Sequence, residues 1–113
     1  MKIVYVAGPY SNPDPAIRSV NVNQAMFYTA KLTEMGLWCF SPILNSNFPG
    51  ADDASWEHWL TGDLRLLAAC DAIYLMPRWE LSRGARREHQ EAAHLKLPAF
   101  FNLNTIKACL CHT

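Results

Sequence analysis

Two acidic residues stand inside helical stripes that are otherwise apolar. Between Ser55 and Ala69, Trp56, Trp59, Leu60, Leu66 and Leu67 recur at three- and four-residue spacings, and Asp63 falls in their middle. Farther along, Glu88 comes three residues after Ala85 and four before Ala92, on a helix side that also carries Leu95. An ionised, unpaired carboxylate in a dry interior costs several kcal/mol, against a total stability of about 5–15 kcal/mol for a domain. Each acid therefore needs a reason. One is structural: pairing with Arg65, Arg83, Arg86 or Arg87, or capping a helix end. The other is chemical: two acids converging on one site suit glycosidic chemistry, in which one attacks or stabilises the anomeric carbon and the other manages protons.

Other residues with chemical capacity lie near these two in the pattern. Tyr5 and Tyr10 flank the end of an apolar run, where a phenol can orient a carboxylate; a half-buried strand residue is the plain alternative for Tyr5. Ser82 and Gly84 open a helix whose free N–H groups favour an anion such as phosphate, although Ser82 can simply be a cap. Arg83, Arg86 and Arg87 would strengthen an anion site or form a solvated face. His89-Gln90-Glu91 has the H-x-E form of zinc nucleobase deaminases but no following P-C-x-x-C, and no G-x-G-x-x-G follows the first strand, so neither a zinc deaminase nor a nicotinamide dehydrogenase is supported.

The elements that must hold these residues alternate. Ile3–Ala7 reads as a buried strand ending at Gly8-Pro9, and a helix runs from Pro13 or Pro15 to Glu34 with Val22, Ala25, Met26, Thr29, Leu32 and Thr33 on its face, closed by Gly36. Residues 37–40 form a second strand, 43–54 a loop, 55–69 a helix capped by Ser55, 72–76 a third strand stopped by Pro77, 82–95 a helix opened by Ser82, and 98–101 the start of a fourth strand. The remainder reads as a weak segment. Such alternation calls for a single-domain α/β, flavodoxin/Rossmann-like three-layer sandwich over residues 1–113, with a parallel sheet of four to five strands in the order 2-1-3-4. Ligands bind such sheets beyond the strand ends where the order reverses. That rule selects Gly8-Pro9-Tyr10-Ser11 and the stretch from Pro77 to Glu88.

Composition limits the partners. Within 113 residues, ten Lys and Arg balance ten Asp and Glu, which leaves no global field for a nucleic-acid polymer or an acidic membrane. A chain of this length hides roughly two thirds of its unfolded surface, enough for a core without staples. The apolar start is too short for a signal-peptide core or a membrane span, so a cytoplasmic protein is expected. Cys39 and Cys70 lie in apolar runs and read as core filler; Cys109-Leu110-Cys111-His112 lacks the second half of a structural zinc site, so no metal is expected.

Tyr5-Val6-Ala7-Gly8-Pro9-Tyr10, Asp63-Leu64, Cys70-Asp71-Ala72 and Trp79-Glu80-x-Ser82-x-Gly84-Ala85-x-x-Glu88 together resemble the nucleoside 2-deoxyribosyltransferase-like superfamily, over residues 3 to about 101. The resemblance is to a short branch common in bacteria and their phages, with nucleoside 5′-monophosphate N-glycosidases among its relatives. It implies Glu88 as nucleophile, Asp63 as the acid that handles the base, Tyr5 as the residue orienting Glu88, and a covalent deoxyribosyl ester resolved by water or a second base. It further implies Gly8, Pro9, Tyr10, Ser82, Gly84 and Trp79 around a nucleoside or nucleotide, Ser82 and Gly84 at its phosphate, a structural Asp71, no cofactor, and a homodimer or higher homo-oligomer. Three departures bear on it: Pro9-Tyr10-Ser11 lacks the monophosphate hydrolases' Arg, Gln90 replaces a Gly, and the C-terminal region that completes the transferases' neighbouring site is shorter here. Two further readings stay open. One is a non-catalytic nucleotide-sensing module, the other a NAD-cleaving relative, since TIR-like domains also use a Glu on a similar scaffold.

Overall fold

The computed structural model describes residues 1–46 and 49–111. Four parallel strands form one sheet: β1 (Ile3–Ala7), β2 (Trp38–Phe40), β3 (Ala72–Leu75) and β4 (Ala99–Phe100), in the order β2-β1-β3-β4. Five helices accompany them: α1 (Pro15–Glu34), α2 (Pro42–Asn45), α3 (Trp56–Leu67), α4 (Arg83–His94) and α5 (Leu103–Leu110), with 3-10 turns at Ala51–Asp53 and Trp79–Leu81. The expected order 2-1-3-4 is the observed one.

Both faces of the central strands are covered, which is why β1 and β3 read as unbroken apolar runs. Strand alternation assigns their side chains to two cores. Val4, Val6, Tyr74 and Met76 pack with Ala25 and Leu32 of α1 and Ile106 of α5, whereas Tyr5, Ala7, Ile73 and Leu75 pack with Leu67 of α3 and Ala85 and Ala92 of α4. Period two thus sends Tyr5 to the same side as α3 and α4. At the opposite, amino-terminal end of the strands, the Ile3 amide donates to the Asp71 carboxylate at 2.7 Å and the Asp71 amide returns a bond to the Ile3 carbonyl, also at 2.7 Å. Asp71 clamps the sheet far from the carboxyl ends of the strands.

Side-chain caps set the helix starts: Asp14 for α1, Ser55 for α3, Ser82 for α4 and Asn102 for α5, each accepting from an amide two or three residues on. Gly36, at φ 86°, supplies the left-handed residue beyond α1.

Several expectations need correction. Residues 43–54 are not a plain loop, because Ser41 caps α2 and a 3-10 turn follows at Ala51. The inward face of α1 runs through Asn21, Ala25 and Leu32, leaving Met26 54% exposed, since the helix meets the sheet along a narrower strip than its apolar residues suggest. Leu66 and Leu95 also reach solvent. α3 ends at Leu67, two residues early, and the supposedly weak tail is α5, anchored by the fully buried Ile106. Cys70 is buried and Cys39 half-buried; Cys109 is exposed at the end of α5, and His112 lies outside the described residues. Among the described residues no helix is long and apolar enough to cross a membrane.

Candidate active site

The first strand leaves the sheet through Gly8. A Cβ there would come within 2.5 Å of Met76 Cε and 3.2 Å of Met76 Cβ, so a larger residue would have to push the Met76 side chain aside, and glycine lets this exit lie close against the one after β3. Beyond those two exits, where the strand order reverses, lies a cavity of about 560 Å³. Gly8 and Tyr10 come to it from the β1 side, Asp63 with Trp56 and Trp59 from α3, and Ser82, Gly84 and Glu88 from the start and first turns of α4.

Glu88 is 6% exposed. Its Oε2 accepts a short hydrogen bond from the Tyr5 hydroxyl, and Tyr5 is itself fully buried behind it. Burial pushes the Glu88 carboxyl up to about 8; the Tyr5 bond pulls it down in part, and the charge of Asp63 pushes it up again. Asp63, half-buried, is raised to about 6 by burial. Burial first, then the charges of Glu88 and Asp63, hold the Tyr5 phenol far above its ordinary range, so it remains a donor. A second hollow, of about 520 Å³, shares Asp63 and Trp59 with the first.

The arginine pairing and helix capping suggested for the two acids are not seen. Among the described residues neither joins an ion pair: Arg87 pairs with Glu91 at 3.7 Å, Arg86 donates to the Glu80 carbonyl at 2.6 Å, and the Arg83 guanidinium lies 3.8 Å over the Trp56 ring. Neither caps a helix, since Ser55 and Ser82 do that.

The structure brings Glu88, Asp63, Gly8, Tyr10, Ser82 and Gly84 to one cavity and sets Tyr5 directly behind Glu88. Two proposed neighbours lie elsewhere. Pro9 is buried outside the lining, and the half-buried Trp79 packs against the core beside α4, its ring 4.7 Å from His89 and 5.9 Å from Phe101. Sequence reasoning missed Trp56, Trp59 and Leu60 as cavity walls and read them as core; the signal was their shared stripe with Asp63. It also missed the exposed Leu81 beside Ser82, and Ile43 from α2.

One solved structure with a similar fold is described as the 2-deoxyribosyltransferase from the psychrotolerant bacterium Bacillus psychrosaccharolyticus; it superposes at a TM-score of 0.62 with 19% identity, over 94% of this chain and 80% of that one. At that identity the likeness establishes the α/β architecture. No curated protein matches the chain. Residues 2–101 match one family along nearly the whole length of the chain, and the protein belongs to it: the family described as Domain of unknown function (DUF4406).

Proposed function

We propose that the protein cleaves the N-glycosidic bond of a nucleoside or nucleoside 5′-monophosphate, by hydrolysis ahead of base transfer, with Glu88 as nucleophile, Asp63 as acid and base, and Tyr5 as the residue that orients Glu88. The observation that carries this reading is a buried carboxylate bonded to a buried phenol, with a second raised acid lining the same cavity and, among the described residues, no cation paired to either. The activity named for the fold neighbour, 2-deoxyribosyl transfer, gives the pair its chemical sense.

In this reading, the ionised Glu88 oxygen attacks the anomeric carbon as the bond from that carbon to the base nitrogen breaks. The departing base takes the proton of Asp63. Tyr5 keeps its own proton and holds the carboxylate in line. Asp63, now ionised, takes a proton from water, whose oxygen attacks the anomeric carbon and releases Glu88 as carboxylate. Chromatography of a panel of deoxynucleosides and their 5′-monophosphates tests the reading, which predicts free base from at least one of them. Release from none would end it.

The pair also dictates a pH profile. The reactive form needs Glu88 ionised and Asp63 protonated, whereas the equilibrium order is the reverse, with Asp63 losing its proton near 6 and Glu88 near 8. Between those values the pair shares one proton, which Glu88 holds more often than Asp63. kcat/KM should therefore follow a bell with limbs near 6 and 8, both belonging to the pair. A flat profile across that range would remove one of the two acids from the chemistry.

Gly84 offers a test of phosphate recognition. A Cβ added there meets only Ser82 Oγ, at an ordinary 3.9 Å, so the fold itself does not require glycine. Gly84→Ala should hold or slightly raise stability, because glycine costs up to about 1 kcal/mol in a helix. If a phosphate sits against this backbone, KM for monophosphates rises about tenfold while KM for nucleosides is unchanged. Equal shifts for both would place the phosphate elsewhere.

A second reading has one observation in its favour: with Glu88 raised to about 8, the carboxyl holds its proton at neutral pH, as suits a module that binds a nucleotide without attacking it. Thermal stabilisation by a nucleotide recovered intact would favour that reading, and turnover would exclude it.

A further inference from the structure

We infer that Asn21 is a positioning residue: from behind the sheet it ties together the two loops that wall the cavity, so that Tyr10 and the Leu81-Ser82 wall keep a fixed spacing around a ligand. That the ligand is a nucleoside or nucleotide rests on the reading above.

Asn21 lies on the inward face of α1 and is 2% exposed, in a stripe whose other buried members are Ala25 and Leu32. A primary amide at such a position stays only where its groups are bonded, because an unmet buried polar group costs about 1–3 kcal/mol. Both of its partners belong to the ligand end of the fold. Asn21 Nδ2 donates to the Tyr10 carbonyl at 3.1 Å, in the loop after β1, and Asn21 Oδ1 accepts from Arg78 Nη2 at 3.4 Å, in the loop after β3. Tyr10 lines the cavity. Arg78 precedes the 3-10 turn Trp79–Leu81, which delivers Leu81 to the cavity and leads into Ser82, the cap of α4.

The Arg78 backbone makes the second half of the argument. Its φ is 69°, in the left-handed region, where a non-glycine residue costs roughly 1–2 kcal/mol. A turn with no further duty would take Gly or Asn. Arg78 is otherwise an exposed residue, and the contact that gives its side chain a purpose is the reach to Asn21. One buried amide thereby spans from one loop to the other, a link of 57 residues along the chain on one side and 11 on the other. Nothing in this arrangement touches Glu88 or Asp63, so the link acts on the shape of the cavity and leaves the chemistry alone.

Amide hydrogen exchange on the ligand-free protein tests the link. Arg78→Gly removes the side-chain contact while relaxing its backbone, so the melting temperature should hold or rise. Exchange at Asp14, whose amide donates to Asn12 Oδ1 at 2.9 Å in the other loop, should nevertheless quicken about fivefold, the effect of losing roughly one hydrogen bond. Arg78→Lys, which keeps a donor, should restore the wild-type rate there. Asn21→Leu preserves volume and drops both bonds, so both loops should quicken together; if that variant fails to fold, Arg78→Gly and Arg78→Lys decide alone. Where base release is measured, Arg78→Gly should raise KM about fivefold with kcat within about twofold. Unchanged exchange at Asp14 in Arg78→Gly, or a loss spread over the whole chain, overturns the link. A wild-type protein that releases no base overturns the reading above instead, and exchange still decides the link.

Discussion

Glu88→Gln should lower base release at least about a thousandfold while the chain stays folded. The amide matches the carboxyl in shape, and its oxygen can still accept from Tyr5, so the buried bond behind the cavity survives. What disappears is the capacity to form the sugar ester. Glu88→Ala should be as inactive, and its emptied volume should also destabilise, which makes Gln the cleaner probe. Released base, quantified by chromatography at saturating substrate, is the measurement, with circular dichroism as the folding control. A Gln variant within about tenfold of wild type would take the nucleophile's role away from Glu88.

The same substitution should change how stability depends on pH. Folded Glu88 keeps its proton until about 8, whereas in an unfolded chain it loses that proton near its ordinary value of 4.5. Between these values the folded chain binds more protons than the unfolded one, so stability falls as pH rises. The contribution is whole below about 4.5 and gone above about 8. Asp63 adds a smaller contribution of the same sign between 3.8 and about 6, smaller because its carboxyl is only half-buried. Wild type should therefore melt lower at pH 8 than at pH 5, by on the order of 3 kcal/mol or roughly 10 °C. Glu88→Gln has no such proton to lose and should melt above wild type at pH 8, with most of the slope removed. Parallel melting curves for the two proteins across that range would mean that Glu88 is ionised in the folded chain at neutral pH.

Much of the candidate site's geometry was legible because two simple periods converge on it. Strand alternation sends Tyr5 toward α3 and α4, and helix phase aims Asp63 and Glu88 back toward the sheet. Their meeting then follows from the strand order. Less was legible where a residue's environment is made by distant chain. Trp56 looks like a core residue in its own helix, but the neighbour it meets is Arg83, which starts a different one. Trp79 sits in a motif that points at the substrate, yet the turn beginning at the left-handed Arg78 carries its ring over to His89 and Phe101. α2 escaped notice because Pro42 and Asn45 signal a turn more loudly than four residues can signal a helix. α5 was read only as a weak segment, although Asn102, Leu103, Ile106 and Leu110 carry a cap and an apolar spacing.

The tryptophans have a spectroscopic consequence. Of the chain's four, Trp56 and Trp59 border the cavity, while Trp38 and Trp79 lie away from it. A positively charged group stacked on an indole alters its excited state, and the Arg83 guanidinium covers the Trp56 ring at 3.8 Å. Any occupant that draws Arg83 away changes the light emitted by Trp56. Trp56 fluorescence is therefore the label-free signal to follow when candidate nucleosides and nucleotides are added.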